Sequence, residues 1–419
     1  MPRRREGRRS AGGIGIATII DTRDLQPGIY LSPAHRPPNA FLFVVLEISR
    51  EAQAAEARLA VERIHGMLTQ LRAGVMGDLR ATRAGESDQL VERETFDFLI
   101  GYGARFFDPK RGLTDAHKPA FLTSLAADGD PFANLPWSPG ARGTGEGEVC
   151  LQLTGRDVHA VNRAAVEIWK AIGDDALPLT IRATFDGFAR DDGRSWIAFH
   201  DGVSNIRPSQ RLAAVECAGD PDWNRGGTYL AFLRCAVDLP LWRRLTRDDQ
   251  ELLVGRDKLT GCALERATKD NGRLAPHPFA GCPAAADADP VERDKFRDPP
   301  ETGDPVIEAS HIHRANQNRT EPTTHAGHRI FRQGYEYLAG LAGEPELGLN
   351  FVSFQRDLEH LWQILGLPSW LGGVNFGGRH ERDPAEPDPI DLITLEAGGL
   401  YAVPPREEPF PGAKLFKQP

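Results

Sequence analysis

The chain is poor in sulfur, with five cysteines and three methionines among 419 residues. Cys150, Cys217, Cys235, Cys262 and Cys282 are odd in number and contain no C-x-x-C pair. This argues against a disulfide framework and a structural zinc site, and a reducing compartment fits it best. An excess of positive charge is also missing. The 50 basic residues face 59 acidic ones, a net charge of −9, so no global basic field attracts nucleic acid. No stretch approaches the ~20 apolar residues that cross a bilayer, and neither half carries a G-x-G-x-x-G turn. Nucleic-acid and membrane partners are not expected. Small molecules remain, and so does another copy of the chain in a homo-oligomer.

What is present supports a large fold. At 40% apolar residues and this length, the chain has material for two domains or one large one. Arg3, Arg4, Arg5, Arg8 and Arg9 precede a short apolar run at 11–20, which invites comparison with a twin-arginine export signal. The run is glycine-broken and no small-residue cleavage site follows it, so residues 1–16 are read as a disordered basic tail and the location as cytoplasmic.

Residues 41–48 (FLFVVLEI) form a continuous apolar, β-rich run, and 52–71 follow with helix formers near helical spacing. The pattern recurs. Residues 96–107 and 149–154 are strand-like, 157–172 read as an amphipathic helix with Asp157 as its cap, and 179–185 return to strand. The second half repeats the theme: a strand from Gly226 to about Val237, helix through Trp242 and Leu253, strands at 329–338 and 349–354, a helix at 357–365 and a last strand at 400–403. Between them, 268–309 is a long polar segment rich in Pro, Asp and Gly, expected from its length to be a functional loop or a partly disordered one. Two such halves predict an α+β fold of the split βαβ, ferredoxin-like kind rather than a dinucleotide fold.

Three segments carry chemistry. Residues 197–205 read IAFHDGVSN, 309–316 read ASHIHRAN and 329–337 read RIFRQGYEY. Alone, Asp201-Gly202 is a turn signal found in every fold class. In order, the three resemble the dye-decolourising haem peroxidases, whose segments are written G-F-x-D-G, H-x-x-R-A-N and R-x-x-R-x-G-Y. The resemblance extends along the chain. Asp24 to Ile29 matches an opening D-x-Q-x-G-I, and Gly226 to Leu230 resembles G-G-S-Y-L. Trp242, Leu245, Gln250-Glu251, Gly255-Arg256, Lys258 and Gly261 follow W-x-x-L-x-x-x-x-Q-E-x-x-x-G-R-x-K-x-x-G, and residues 408–416 (EPFPGAKLF) resemble the C-terminal signature. The departures are Ala198 where glycine is usual, Ile206 where proline often follows Asn205, and Gln317-Asn318 where Pro-Arg follow R-A-N. They bear on substrate access and tuning rather than on the chemistry.

The resemblance implies two ferredoxin-like domains of the dimeric α+β barrel type, at 17–190 and 191–419, the second binding one haem b per chain. Haem iron needs an axial ligand, commonly an imidazole. His311, His313, His325 and His328 compete, and alternation along an extended segment leaves His311 and His313 on one side. Motif position selects His311 as the proximal ligand. Asp201 matches the distal acid that moves a proton between the peroxide oxygens, with Asn205 completing D-G-x-x-N. Arg332, followed by Gln333, Gly334 and Tyr335, matches the distal arginine that stabilises developing charge. Arg256 is assigned to a haem propionate. Arg329 joins it as a cofactor-binding candidate, although a surface salt bridge is its plainer reading. His200 is expected to turn away from the site in a supporting or exposed role. Tyr335, Tyr337 and Trp362 could pass electrons, but aromatics on such elements are usually core, and no relay is named.

The implied activity is reduction of hydrogen peroxide to water with one-electron oxidation of dyes, phenols or similar small organic reductants. Two alternatives stand beside it, a deferrochelatase-like release of iron from haem and a non-catalytic haem binder or enclosed cargo protein. A carrier has no need of both Asp201 and Arg332.

Overall fold

A computed structural model describes residues 24–417 except 33–37, 92–95, 115, 121, 126–130, 191, 203–204, 207, 220, 271–272, 277–301, 316–328, 366–373, 376–389 and 408. The basic tail, His325, His328 and Gln317-Asn318 therefore lie outside the described residues.

The first half runs β1 (Ala40–Ile48), α1 (Ala54–Arg72), β2 (Phe96–Gly103), β3 (Val149–Gly155), α2 (Val158–Asp174) and β4 (Leu179–Phe188). After α3 (Pro208–Val215), the second half opens with β5 (Thr228–Val237), α4 (Leu239–Arg244) and α5 (Arg247–Val254). A hairpin, β6 (Leu264–Asp270) and β7 (Arg273–Pro276), precedes two single-turn helices, α6 (Pro305–Glu308) and α7 (His311–Arg314). Then come β8 (Phe331–Arg332), β9 (Tyr335–Gly340), β10 (Glu346–Gln355), α8 (Leu358–Leu365), the short pair β11 (Val374–Asn375) and β12 (Ile390–Asp391), and β13 (Ile393–Val403).

Nine strands form one antiparallel sheet in the order β5-β13-β2-β3-β1-β4-β9-β10-β8, and β10 also pairs with β5, closing the sheet into a barrel. Within it, β2-β3-β1-β4 and β9-β10-β5-β13 repeat one split βαβ pattern, as the recurrence in the sequence predicts. Phe41, Phe43 and Val45 turn into the barrel while Leu42, Val44 and Leu46 turn to the helical layer, so the apolar run of β1 is buried on both faces. Helix α1 covers that outer face with Ala57, Ala60, Val61, Ile64, Leu68 and Leu71 at three- and four-residue spacing. Asp157 caps α2 by accepting from the backbone of His159 and Ala160. Inside the barrel, Phe41 stacks on Tyr335 at 4.3 Å and Phe43 on Phe232 at 4.4 Å, so aromatic rings of one half lock onto those of the other.

Both ends of the chain are tied into this core. Gln26 accepts from the Ile100 amide and donates to the Ile100 and Pro404 carbonyls, which explains the glutamine of the opening motif. Tyr102 donates to the Pro411 carbonyl, and a Cβ on Gly412 would stand 2.6 Å from that tyrosine ring, so the C-terminal signature packs on β2.

Three expectations need correction. The last strand begins at Ile393 rather than at 400. Gly398 and Gly399 lie inside it, where a Cβ on either would meet Leu233, Trp137 or the Gly145 carbonyl within 2.8 Å, so they mark close approach inside a strand. The segment 268–309 contains the end of a hairpin and a helical turn. Cys150, Cys217 and Cys235 are free thiols, but Cys262 is disulfide-bonded, its partner lying outside the described residues. Pairing depends on Cα atoms ~4.4–6.8 Å apart in space, which spacing along the chain cannot reveal. Cysteine spacing therefore no longer argues for a reducing compartment.

Among the described residues no helix is long and apolar enough to cross a membrane.

Candidate active site

A cavity of about 300 Å³ lies against the outer face of the second half's sheet. Single waters occupy ~30 Å³ each, so this space suits an organic group. Leu233, Cys235 and Val237 of β5 line it on alternate positions, with Phe351 of β10 and Ile393 and Leu395 of β13 completing an apolar wall. His311, Arg256, Arg329, Arg332, Asp201 and His200 all line the same space. The sequence-derived candidates, spread over more than 100 residues of the chain from His200 to Arg332, thus meet in one cavity.

His311 opens α7, and this changes the argument about its neighbour. The segment is helical, not extended, so residues two apart point roughly 200° away from each other. His311 faces the cavity, whereas His313 is buried and is not among the cavity-lining residues. Burial first, then the charges of Arg332 and Arg256, push the His311 ring down to about 3, which favours the neutral imidazole, the form that binds a metal.

Gly255 brings the cations to this histidine. It ends α5 in the left-handed region at φ 87°, and a Cβ there would stand 2.3 Å from Ser310 Oγ and 2.7 Å from Ile312 Cγ1. The Gly-Arg pair is therefore a packing device that seats α7 against α5, with Arg256 beside it. Arg256 is buried and donates to the Gly261 carbonyl at 2.9 Å. Burial, then Arg332, lowers its pKa to about 10, so two guanidinium groups crowd one end of the cavity and favour an anionic occupant there. Gly255→Ala is expected to combine a left-handed alanine, costing about 1–2 kcal/mol, with overpacking of about 1–3 kcal/mol. A urea midpoint within error of the parent's, with unchanged affinity for added haem, would refute this packing role.

Arg332 sits at the end of β8, where its backbone is clamped by Asn205. The Asn205 amide donates to the Arg332 carbonyl at 2.7 Å, and its Oδ1 accepts the Arg332 N–H at 3.1 Å. This pair ties the Asp-Gly turn to the arginine strand and gives D-G-x-x-N a physical reason. Asp201 is exposed at the cavity rim, and its Oδ1 accepts the Gly202 N–H at 2.7 Å. His200, expected in a supporting or exposed role, is buried and lines the cavity, with Nε2 held 2.8 Å from Arg194 Nη2.

The departure at Ala198 has a structural cost. Ala198 adopts φ 68°, one of two left-handed non-glycine residues among those described, and its carbonyl accepts from Arg194 at 2.7 Å. Ala198→Gly is expected to stabilise the protein by about 1 kcal/mol by removing that strain. Chemical denaturation measures this, and a loss of stability would show that the turn tolerates alanine without strain.

Two cavity residues escape sequence reading. Glu336 lies in β9, where a carboxylate reads as a solvated face, and Trp196 lies in a turn. Neither carries a motif signal, and only closure of the barrel turns both toward the cavity.

Among the described residues no cluster of three or more His, Cys, Asp or Glu could hold a bare metal ion. The His311 imidazole facing an apolar wall and paired cations, with His200 engaged by Arg194, is a donor set for a metal carried by an anionic macrocycle. This fits the comparisons with known proteins. The chain is 25% identical over 351 residues to a deferrochelatase of Yersinia pestis bv. Antiqua (strain Nepal516), covering 80% of this chain and 72% of that one. Its fold resembles ferric DtpA from Streptomyces lividans (TM-score 0.66, 20% identity, 96% and 97% of the two chains). It also resembles a variant of DypB from Rhodococcus jostii RHA1 in complex with heme (TM-score 0.57, 20% identity, 91% and 96%). The family described as Dyp-type peroxidase, C-terminal, matches residues 192–408, more than half of the sequence and all of the cavity lining except Leu135 and Pro136, and the chain belongs to that family.

Proposed function

We propose that the chain is a haem-dependent peroxidase that reduces hydrogen peroxide to water and takes single electrons from dyes, phenols or similar small organic donors. The observation that carries this reading is the meeting of a neutral His311, a rim carboxylate at Asp201 and the guanidinium groups of Arg256 and Arg332 in one apolar-walled cavity. The residues fit haem b, one per chain. His311 would hold the iron, and Arg256 and Arg329 would face the propionates. Haem iron, when bound, supplies the electron chemistry that cleaves the peroxide O–O bond. Asp201 accepts a proton at its carboxylate from one peroxide oxygen and returns it to the other. Arg332, always charged and fixed by Asn205, holds the negative charge that develops on the departing oxygen. The apolar wall limits the water that reaches half-buried Arg332, which strengthens its interaction, while Asp201 stays in reach of solvent at the rim.

The name of the Yersinia relative supports a second reading, in which this cavity releases iron from haem. One experiment separates the two. Haem-loaded protein is given peroxide with a phenolic dye, and separately a reductant without peroxide, while dye bleaching and the fluorescence of metal-free porphyrin are followed. Peroxide-dependent bleaching without porphyrin fluorescence is the expected result. Fluorescence without bleaching would replace the peroxidase reading.

A further inference from the structure

Two carboxylates line the cavity, and the chemistry above uses only Asp201. Tyr335 points into the barrel, so alternation along β9 turns Glu336 to the cavity face, where it is 7% exposed. Its Oε1 accepts the Trp196 N–H. Its Oε2 is buried and receives no hydrogen bond. The nearest cation, Arg190, stands 3.8 Å from Oε2, beyond hydrogen-bond reach, and is already gripped by both oxygens of Asp192 at 3.1 and 2.7 Å.

The surrounding charges leave Glu336 poorly compensated. Asp192 and Asp201 are like charges beside it, Arg332 lines the same cavity, and His200 is engaged by Arg194. A buried carboxylate oxygen without a donor is costly, and a proton on that oxygen removes the cost. Burial is the largest influence and raises the Glu336 pKa to about 7, with Asp201 and Asp192 adding to it and the Trp196 N–H and Arg190 opposing it.

We propose that Glu336 is a positioning residue that acts through Asp201, carrying a proton on its buried, undonated Oε2 and passing it to Asp201 during turnover. The inference rests on the assignment of Asp201 made above. Reduction of hydrogen peroxide to two waters takes up two electrons and two protons. The organic donors supply the electrons. Asp201 only moves a proton the peroxide already carries, so both of those protons have to enter the cavity from outside. At each one-electron step the Oε2–H bond of Glu336 breaks as an O–H bond forms on Asp201, Asp201 passes that proton to the oxygen that leaves as the second water and is again a carboxylate, and solvent reaching past the exposed Asp192 restores the proton to Glu336.

The test uses haem-loaded parent, Glu336→Gln and Glu336→Asp. Three measurements are made: the pH profile of peroxide-dependent dye oxidation with kcat and KM separated, the infrared difference between pH 5 and pH 9 without peroxide, and thermal unfolding at both pH values. The parent should lose kcat as pH rises through about 7. Glu336→Gln should lower kcat on the order of 10-fold or more at pH 6, abolish that alkaline limb and remove a carboxylic acid signal from the infrared difference. Glu336→Asp should restore part of the limb. A raised carboxyl pKa contributes stability that is present below the unfolded value and lost as pH rises through the folded one. Glu336→Gln should therefore raise the unfolding temperature relative to the parent at pH 9 and not at pH 5.

Retention of the limb or of the infrared signal in Glu336→Gln overturns the proposal. Arg190→Gln provides a check that leaves Glu336 intact: removing the cation that favours its ionised form should move the limb to higher pH, and an unmoved limb also counts against the proposal. Failure of the underlying assignment looks different, because Asp201→Asn would then react with a single equivalent of peroxide at the parent's rate.

Discussion

Arg332→Leu is expected to slow the reaction of the haem-loaded protein with hydrogen peroxide by on the order of 10²–10³, the usual effect of losing one preorganised donor to developing charge. At ~1.36 kcal/mol per tenfold, this corresponds to roughly 3–4 kcal/mol of transition-state stabilisation. The position supports so large an effect. Arg332 is half-buried, lines the cavity and has its backbone clamped by Asn205, so it need not be reoriented during the reaction. Asp201→Asn should slow the same step by between about 10²- and 10⁴-fold. The extent depends on how well water replaces the carboxylate, because Asp201 is exposed at the rim. Stopped-flow absorbance with excess peroxide at matched haem occupancy measures both. If both variants react at the parent's rate, neither residue performs the assigned chemistry and the iron-release reading gains.

His311→Ala is expected to lose bound haem or shift its Soret band markedly, and His313→Ala to retain both. The two histidines differ in direction rather than in type. His311 faces the cavity from the first position of α7, while His313, buried in the packing of the same turn, lies on another side. Truncating a buried side chain at 313 should still cost stability on the order of 2–3 kcal/mol. Unfolding midpoints and haem content therefore move independently: His313→Ala loses the first and keeps the second. Equal haem loss in both variants, or loss only in His313→Ala, would reassign the ligand.

The sequence by itself determined the family and the sheet. A continuous apolar run in β1, a short β-rich run in β3 and 3.6-residue spacing in α1 and α2 placed these elements almost to the residue, because the faces each buries are written locally. It also placed Asp201, His311 and Arg332 in one class of chemistry through the resemblance of their segments to the motifs of a known family. It could not say why Gly255 precedes Arg256 or why Asn205 follows Asp201, since the Gly255–Ser310 approach and the Asn205–Arg332 clamp join segments far apart in the chain. Nor could it separate His311 from His313 by spacing, because a single helical turn between Ser310 and Ala315 replaced the expected extended segment. Glu336 shows the limit most clearly. On β9 it reads as an ordinary solvated carboxylate, and only closure of β10 onto β5, with the Trp196 turn folded over the sheet, takes its oxygen out of water. Periodicity records which faces are buried, whereas the environment of a single charge depends on every element packed around it, and that was decided by the tertiary structure.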